Sequence, residues 1–243
     1  MAIIGDALSV LSLKSLIHVT TKPGATVTFK KGSATMATKT ANSSGVAELE
    51  VLSGDWGSWT ISCSWSQSGI SNAATGSSSV TLSEPRTYNV NVQLTWYLIQ
   101  NGNFTGFGHT IASYLQRSKF EDNGNYIWLC YDPYAQAANA YASGYFTNAI
   151  SMNDWKTMTI DFEGKGESAH MGLVTDTSLV QASFTNSVQL VSQRSSYSSR
   201  GTQSLDISGV TGTRYVGLRV QTFYSEYRYC PGDLAIYNLY LRT

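Results

Sequence analysis

Asp161 and Glu163 stand two residues apart in the run TMTIDFEGKG, and acid–base chemistry is the first reaction they suggest. On a strand, positions i and i+2 share one face, so both carboxylates would point the same way. Glycoside cleavage needs two carboxyls about 5–9.5 Å apart across a cleft. It also needs one of them held protonated by burial. A single strand followed by Gly164-Lys165-Gly166, which reads as a flexible break, supports neither requirement. His18, His109 and His170 are widely separated, and no HExxH or comparable ligand spacing joins them. They read as structural or solvent-facing. No GxSxG, Walker or GxGxxG run occurs. A triad assembled from distant segments is the one catalytic option that spacing leaves open. The expectation is a non-enzyme with no metal site and no cofactor.

Aromatic and hydroxylic loops carry the other chemistry. Residues 131–147, YDPYAQAANAYASGYFT, present Tyr131, Tyr134, Tyr141 and Tyr145. Residues 193–203 place Tyr197 between Arg194 and Arg200, and residues 223–229 set Tyr224, Tyr227 and Tyr229 beside Arg228. Tyrosine offers rigid, amphipathic contact area at low entropic cost. Sugar rings stack on such faces through their C–H groups, while arginine and amides meet their hydroxyls. The candidate ligand set is therefore Tyr134, Tyr141, Tyr197, Arg200, Tyr224, Tyr227, Arg228 and Tyr229. The competing reading is that these tyrosines pack the fold or a subunit interface.

The elements that must position these loops follow from composition and patterning. The chain has 243 residues, room for roughly one to two domains. Only 13% of residues are charged, against roughly 25% in an average soluble protein, so the solvated faces must be hydroxylic rather than ionic. Net charge is zero, and with no basic stripe nothing draws in a phosphate backbone; nucleic acid is not an expected partner. Cys63, Cys130 and Cys230 are dispersed, an odd number without a CxxC pair. They read as buried thiols, with a Cys130–Cys230 disulfide left open. No run approaches the roughly 20 apolar residues of a membrane span. The opening MAIIGDALSVLSLKSL lacks a basic leader and a cleavage site, so synthesis in the cytoplasm without a signal peptide is expected.

Residues 1–13 read as an arm. Ile4, Leu8 and Leu11 fall at helical spacing, and Ile3 widens the apolar surface, although a strand is also compatible. Ile3, Ile4, Leu8 and Leu11 would dock either on a neighbouring subunit or on the arm's own first domain. Residues 14–92 read as a small sandwich of seven short strands, punctuated by Lys22-Pro23-Gly24, Asn42-Ser43-Ser44-Gly45 and Gly54-Asp55-Trp56-Gly57. Residues 93–243 hold about ten strand candidates, enough for a double-sheet jelly roll. Among these, Thr157–Glu163 and His170–Thr175 read as separate strands. Pro231-Gly232-Asp233 is expected to fold Leu234–Leu241 back beside Tyr215–Gln221.

Two resemblances follow. The order PGATVTF, KTANSSGVAELEV, GDWGSWTISCSWSQSG, YNVNV resembles the carboxypeptidase regulatory-like (transthyretin-like) β-sandwich modules. The order WYLIQNGN, NDWKTMTIDFEG, SLDISGVTGTRYVGLRV, LAIYNLYL resembles the jelly-roll domains of carbohydrate-binding modules and of phage fibre or decoration proteins. Together they imply an all-β chain: an N-terminal Ig-like or transthyretin-like sandwich, then a C-terminal jelly-roll sandwich. They imply a structural virion protein of a tailed bacteriophage, in a capsid-decoration, head-fibre or tail-accessory role. Its partners would be other virion proteins, further copies of itself and host-surface polysaccharide, and it would be extracellular when displayed. A carbohydrate-binding accessory module of a bacterial surface glycan system is the alternative, and a polysaccharide-degrading enzyme the second. The jelly-roll likeness also leaves a structural calcium at Glu121, Asp122 and Asn123 as an option, although EF-hand spacing is absent.

Overall fold

The computed structural model describes residues 13–113, 118–131, 141–177, 184–194, 196–221, 223–225, 228–230 and 232–243. The chain is all-β and forms two units. The first runs up to Trp65 and takes in Thr75–Leu94; the second comprises Ser66–Ala74 and Thr95–Thr243.

The first unit is a sandwich of β1 (Lys14–Thr20), β2 (Thr26–Lys31), β3 (Ala34–Thr40), β4 (Val46–Leu52), β5 (Gly57–Trp65), β6 (Ala74–Leu82) and β7 (Thr87–Asn91). One sheet has the order β4-β1-β7, with β1 antiparallel to β4 and parallel to β7. The other runs β6-β5-β2-β3. Alternation dictates the layers. Ile17 and Val19 are fully buried from the first sheet, and Val27, Phe29 and Ile61 from the second. The opposite face of β2 and β5 is hydroxylic, with Thr26 across from Ser64 and Thr28 across from Ser62. The Asn42 turn closes through its own side chain, whose Oδ1 accepts from the N–H groups of Ser44 (2.9 Å) and Val46 (3.0 Å).

The second unit contains β8 (Thr95–Gln100), β9 (Asn103–Phe104), β10 (His109–Ser113), β11 (Lys119–Asp122), β12 (Ile127–Tyr131), β13 (Tyr141–Phe146) and β14 (Ile150–Ser151). It continues with β15 (Thr157–Val174), β16 (Asn186–Arg194), β17 (Gly201–Asp206), β18 (Thr213–Gln221), β19 (Phe223–Ser225), β20 (Arg228–Cys230) and β21 (Gly232–Arg242). Its organising element is β15, 18 residues long. The first half of β15 lies between β17 and β21. Beyond β21, the layer continues through β12 at one end of that strand and β8 at the other. The second half of β15 lies between β16 and β18, and that layer continues through β13 to β10. One strand thus serves both sheets of the sandwich.

This corrects two expectations. Thr157–Glu163 and His170–Thr175 are one strand, and Gly164-Lys165-Gly166 lies inside it. The glycines are there for close approach, not for looseness. A Cβ on Gly164 would fall 2.6 Å from Leu234 Cδ2 and 2.7 Å from Val191 Cγ2. Gly166 sits at φ +128°, and a Cβ there would be 2.6 Å from the Gln221 carbonyl oxygen. Second, β18 and β21 are not partners. Each pairs with a different half of β15, because the chain changes layer between them.

Apolar alternation builds the core. Met158, Ile160, Met171, Leu173, Leu218, Ile236 and Leu239 are fully buried. Trp96 stacks on Trp155, with ring centroids 5.7 Å apart, and Phe104, Phe120 and Phe146 meet edge to face. Side-chain amides tie in the segment 66–74. Gln67 donates to the Ala149 carbonyl (2.7 Å) and accepts from the Ser151 N–H (3.0 Å), while Asn72 accepts from Trp96 Nε1 (2.8 Å).

Candidate functional site

The face of the β17-β15-β21-β12 layer turned away from the core carries aromatic rings among charged groups. Its centre is a break in register. Asp161 pairs with Asn238 and Phe162 with Ile236, so Tyr237 is an extra residue on β21. A bulge of this kind re-aims side chains. Here Asn238 Nδ2 donates to Asp161 Oδ2 (3.1 Å) and the Tyr237 hydroxyl donates to Glu163 Oε1 (3.2 Å), so both side chains reach the carboxylate face of β15. Arg200 arrives from the segment before β17. Its Nε and a terminal amine grip the two Asp161 oxygens at 2.9 and 2.5 Å. The same guanidinium lies 3.8 Å from the centre of the Tyr237 ring. A forked ion pair held over a phenol ring fixes the position of a planar cation.

The segment leading to β17 is held against β15 by Ser198. Its N–H donates to the Gly164 carbonyl (2.8 Å), and its hydroxyl accepts from the Gly164 N–H (3.1 Å). This anchor places Tyr197, 39% exposed, with its ring 4.9 Å from Lys165 Nζ. Lys165 pairs with the buried Asp233 (3.1 Å), which also accepts from Trp128 Nε1 (2.9 Å). At the edge of the layer Lys119 pairs with Glu121 (2.7 Å) and lies 5.4 Å from the Trp128 ring. Tyr126 meets Tyr237 edge to face at 6.0 Å, and Tyr97 meets Tyr240 at 5.3 Å. Half-buried rings therefore line β21 from the level of Trp128 to that of Tyr240, roughly 16 Å at the usual strand rise.

Electrostatics keep this face in one ionisation state. Arg200, with the Asn238 amide, holds the Asp161 carboxyl below its ordinary value, against the burial that opposes it. Burial first, and the Asp233 charge second, push the Tyr197 phenol up. Burial and then the Glu163 charge do the same to Tyr237. The phenols stay neutral and Asp161 stays ionised across the physiological range. A carboxylate locked by a bidentate guanidinium cannot serve as a general acid, so Asp161 is not the acid of a catalytic pair.

Of the sequence-derived set, the structure brings Tyr197 and Arg200 into this cluster. It does not bring in Tyr141. That residue stands on β13, not in a loop, under the Arg219 guanidinium at 5.1 Å and in the other layer. Tyr145, its companion in the same run, is fully buried beside Val174. Tyr134 and Tyr227 lie outside the described residues, as do Ile3, Ile4, Leu8 and Leu11. Tyr224, Arg228 and Tyr229 are described through their backbone only, as the antiparallel pair β19–β20. Glu121 and Asp122 are engaged elsewhere, Asp122 capping its turn by accepting from the Gly124 N–H (2.6 Å). Among the described residues, no group of three or more His, Cys, Asp or Glu could hold a metal ion.

Sequence reasoning missed Tyr237, Asn238, Tyr126 and Trp128 as site residues. Alternation in LAIYNLYL marks which side chains are core, but the bulge sets the phase beyond it. Two open depressions lie elsewhere: one lined by Asp206, Ser208, Thr211 and Arg214, the other in the first unit by Thr28, Ser62, Cys63 and Ser77.

No family model and no curated sequence matches this chain. Among solved structures, it is similar to a mutant of a family 29 carbohydrate-binding module, with TM-score 0.38 and 13% identity over 60% of this chain and 89% of that one. A family 29 carbohydrate-binding module from Piromyces equi gives TM-score 0.36 and 16% identity over 62% and 91%. The structure of the infectious bursal disease virus Gx strain gives 0.27 and 10% over 96% and 55%. At these scores the likeness carries no functional argument.

Proposed function

We propose that this chain is a non-catalytic recognition protein whose second unit binds saccharide on the outer face of the β17-β15-β21-β12 layer. One observation carries the reading: Arg200, gripped by Asp161, lies over the Tyr237 ring at 3.8 Å, on the same face as the Asn238 amide and the exposed Tyr197 ring. Flat rings meet the C–H faces of sugars, and the fixed amide, carboxylate and guanidinium meet their hydroxyls. Preorganisation of this kind reduces the ordering cost of binding. The wider setting we propose is a tailed-phage virion, with other virion proteins and further copies of the chain as partners and Ile3, Ile4, Leu8 and Leu11 as docking residues. That setting is supported by the two sequence resemblances alone.

A glycan array of bacterial surface and plant polysaccharide fragments tests the first part. Binding is expected, and Tyr237→Ala should weaken it about tenfold, the equivalent of about 1.4 kcal/mol. Tyr197→Ala should weaken it less. A blank array, or binding untouched by both changes, would remove saccharide recognition from this face. Immunogold labelling of particles tests the virion setting, and unlabelled particles would end it.

A further inference from the structure

Resting on that reading, we infer that the ligand is an oligosaccharide lying along β21, and that its rings between Trp128 and Tyr237 are uncharged, acidic sugars being disfavoured there. The observation is the pairing of charge across the platform. Arg200 is held by both oxygens of Asp161. Lys165 is held by Asp233, and Lys119 by Glu121. Each of these three cations has its own carboxylate within 3.1 Å. Arg242, 5.2 Å from the Tyr240 ring at the far end of the row, belongs to none of these pairs, so the closed charge spans only the stretch from Trp128 to Tyr237.

A sugar carboxylate or sulfate arriving here meets cations whose charge is already neutralised, and it must either bind beside a carboxylate or displace it. Taking Arg200 would break two charge-assisted hydrogen bonds and leave Asp161 facing the incoming anion. Taking Lys165 would strand Asp233, whose side chain is only 6% exposed, without its counter-ion. Glu163, satisfied by the Tyr237 hydroxyl, adds negative charge beside the same ring. Sugar hydroxyls need no such exchange. They can accept from guanidinium and amide N–H groups and donate to carboxylate lone pairs while every ion pair stays closed. The aromatic row supplies length. Trp128, the Tyr126–Tyr237 pair and the Tyr97–Tyr240 pair succeed one another along β21, so a chain lying along the strand would meet more than one aromatic group.

The test titrates the full chain with a neutral oligosaccharide series and with uronate-bearing and sulfated counterparts of equal length. Each titration is run at about 20 mM and about 500 mM NaCl, across which exposed charge interactions are strongly screened. Neutral chains should bind, more tightly as they lengthen from one to several residues, with Kd changing by less than about twofold between the two salts. Acidic chains should bind at least about tenfold more weakly. Asp161→Asn frees the Arg200 guanidinium and should raise affinity for the uronate series; Glu121→Gln, freeing Lys119 at the rim, should do the same to a smaller degree. Acidic chains binding more tightly than neutral ones, with affinity collapsing in salt, would overturn this inference and leave saccharide recognition standing. No binding of either series would overturn both.

Discussion

The two outer faces of the second unit share one strand and one type of contact, an arginine laid on aromatic rings, yet they are built for different ends. On the first face, Arg200 is tied to Asp161 and its aromatic neighbours remain partly exposed. On the second, Arg219 sits between Tyr141 (5.1 Å) and Phe184 (5.2 Å), and its Nε has no hydrogen-bond partner among the described residues. Nearby His170 Nδ1 is likewise buried without a partner. Phe184 lies over two glycines: a Cβ on Gly172 would come within 2.6 Å of its ring, and one on Gly217 within 3.1 Å. The lesson is that arginine–aromatic stacking alone does not mark a binding surface. Under the proposed reading a closed set of ion pairs among partly exposed rings does, whereas a ring seated on glycines marks packing.

The largest expected effect erases the contrast altogether. Gly166→Val places a side chain where φ is +128° and the Gln221 carbonyl oxygen is 2.6 Å away. It should cost about 3 kcal/mol or more by strain and overpacking combined. Denaturant unfolding should show both faces lost in one transition; near-wild-type stability would mean that β15 tolerates a different path between the layers.

The next effect separates the faces. Phe184→Ala should lower unfolding stability by about 2–3 kcal/mol, somewhat under the range for fully buried phenylalanine because this one is half-buried. Saccharide affinity should be unchanged. Loss of binding at preserved stability would place the ligand on the second face and invert the comparison.

The smallest effect sharpens it by pH. Burial, and then the Arg219 charge, lower the His170 pKa from its ordinary 6.5. Burial also lowers that of His109. The unfolded chain takes up these protons first, so stability should fall as pH drops from about 6.5 toward 5. Asp161 works in a separate window. Its folded pKa lies below the ordinary 3.8, so the stability it adds above that value disappears only as pH falls through the lower one. Between pH 7.5 and 5, His170→Gln should flatten part of the decline while Asp161→Asn leaves its slope unchanged. A decline insensitive to His170→Gln would show that the second face does not titrate.

Much of the architecture was legible because strands with one buried face announce themselves. Ile17 and Val19, Val27 and Phe29, and Val216, Leu218 and Val220 alternate in sequence and are buried in the structure. What escaped was set by long-range geometry. Gly164-Lys165-Gly166 carries the composition of a turn, and only the nearness of Leu234, Val191 and Gln221 explains it as strand. The start of β13, Tyr141-Ala142-Ser143-Gly144, lacks alternation because small residues fill both of its faces. In the candidate site, Tyr197 and Arg200 were visible as loop residues of the right chemistry. Tyr237 and Asn238 were hidden in a strand whose phase shifts at a bulge, and Asp161 was weighed and rejected as a catalytic carboxylate without its place in the cluster being seen, because its guanidinium partner lies 39 residues away.

That β15 belongs to two layers also bears on how the molecule assembles. Both layers take a central strand from β15, so an intermediate with one layer built leaves the other half of that strand unpaired. Strands brought from 77 residues away, as Asn238 is to Asp161, must arrive before either layer closes. Refolding should therefore be slow and all-or-none, the kinetics of a high-contact-order topology with a single late rivet.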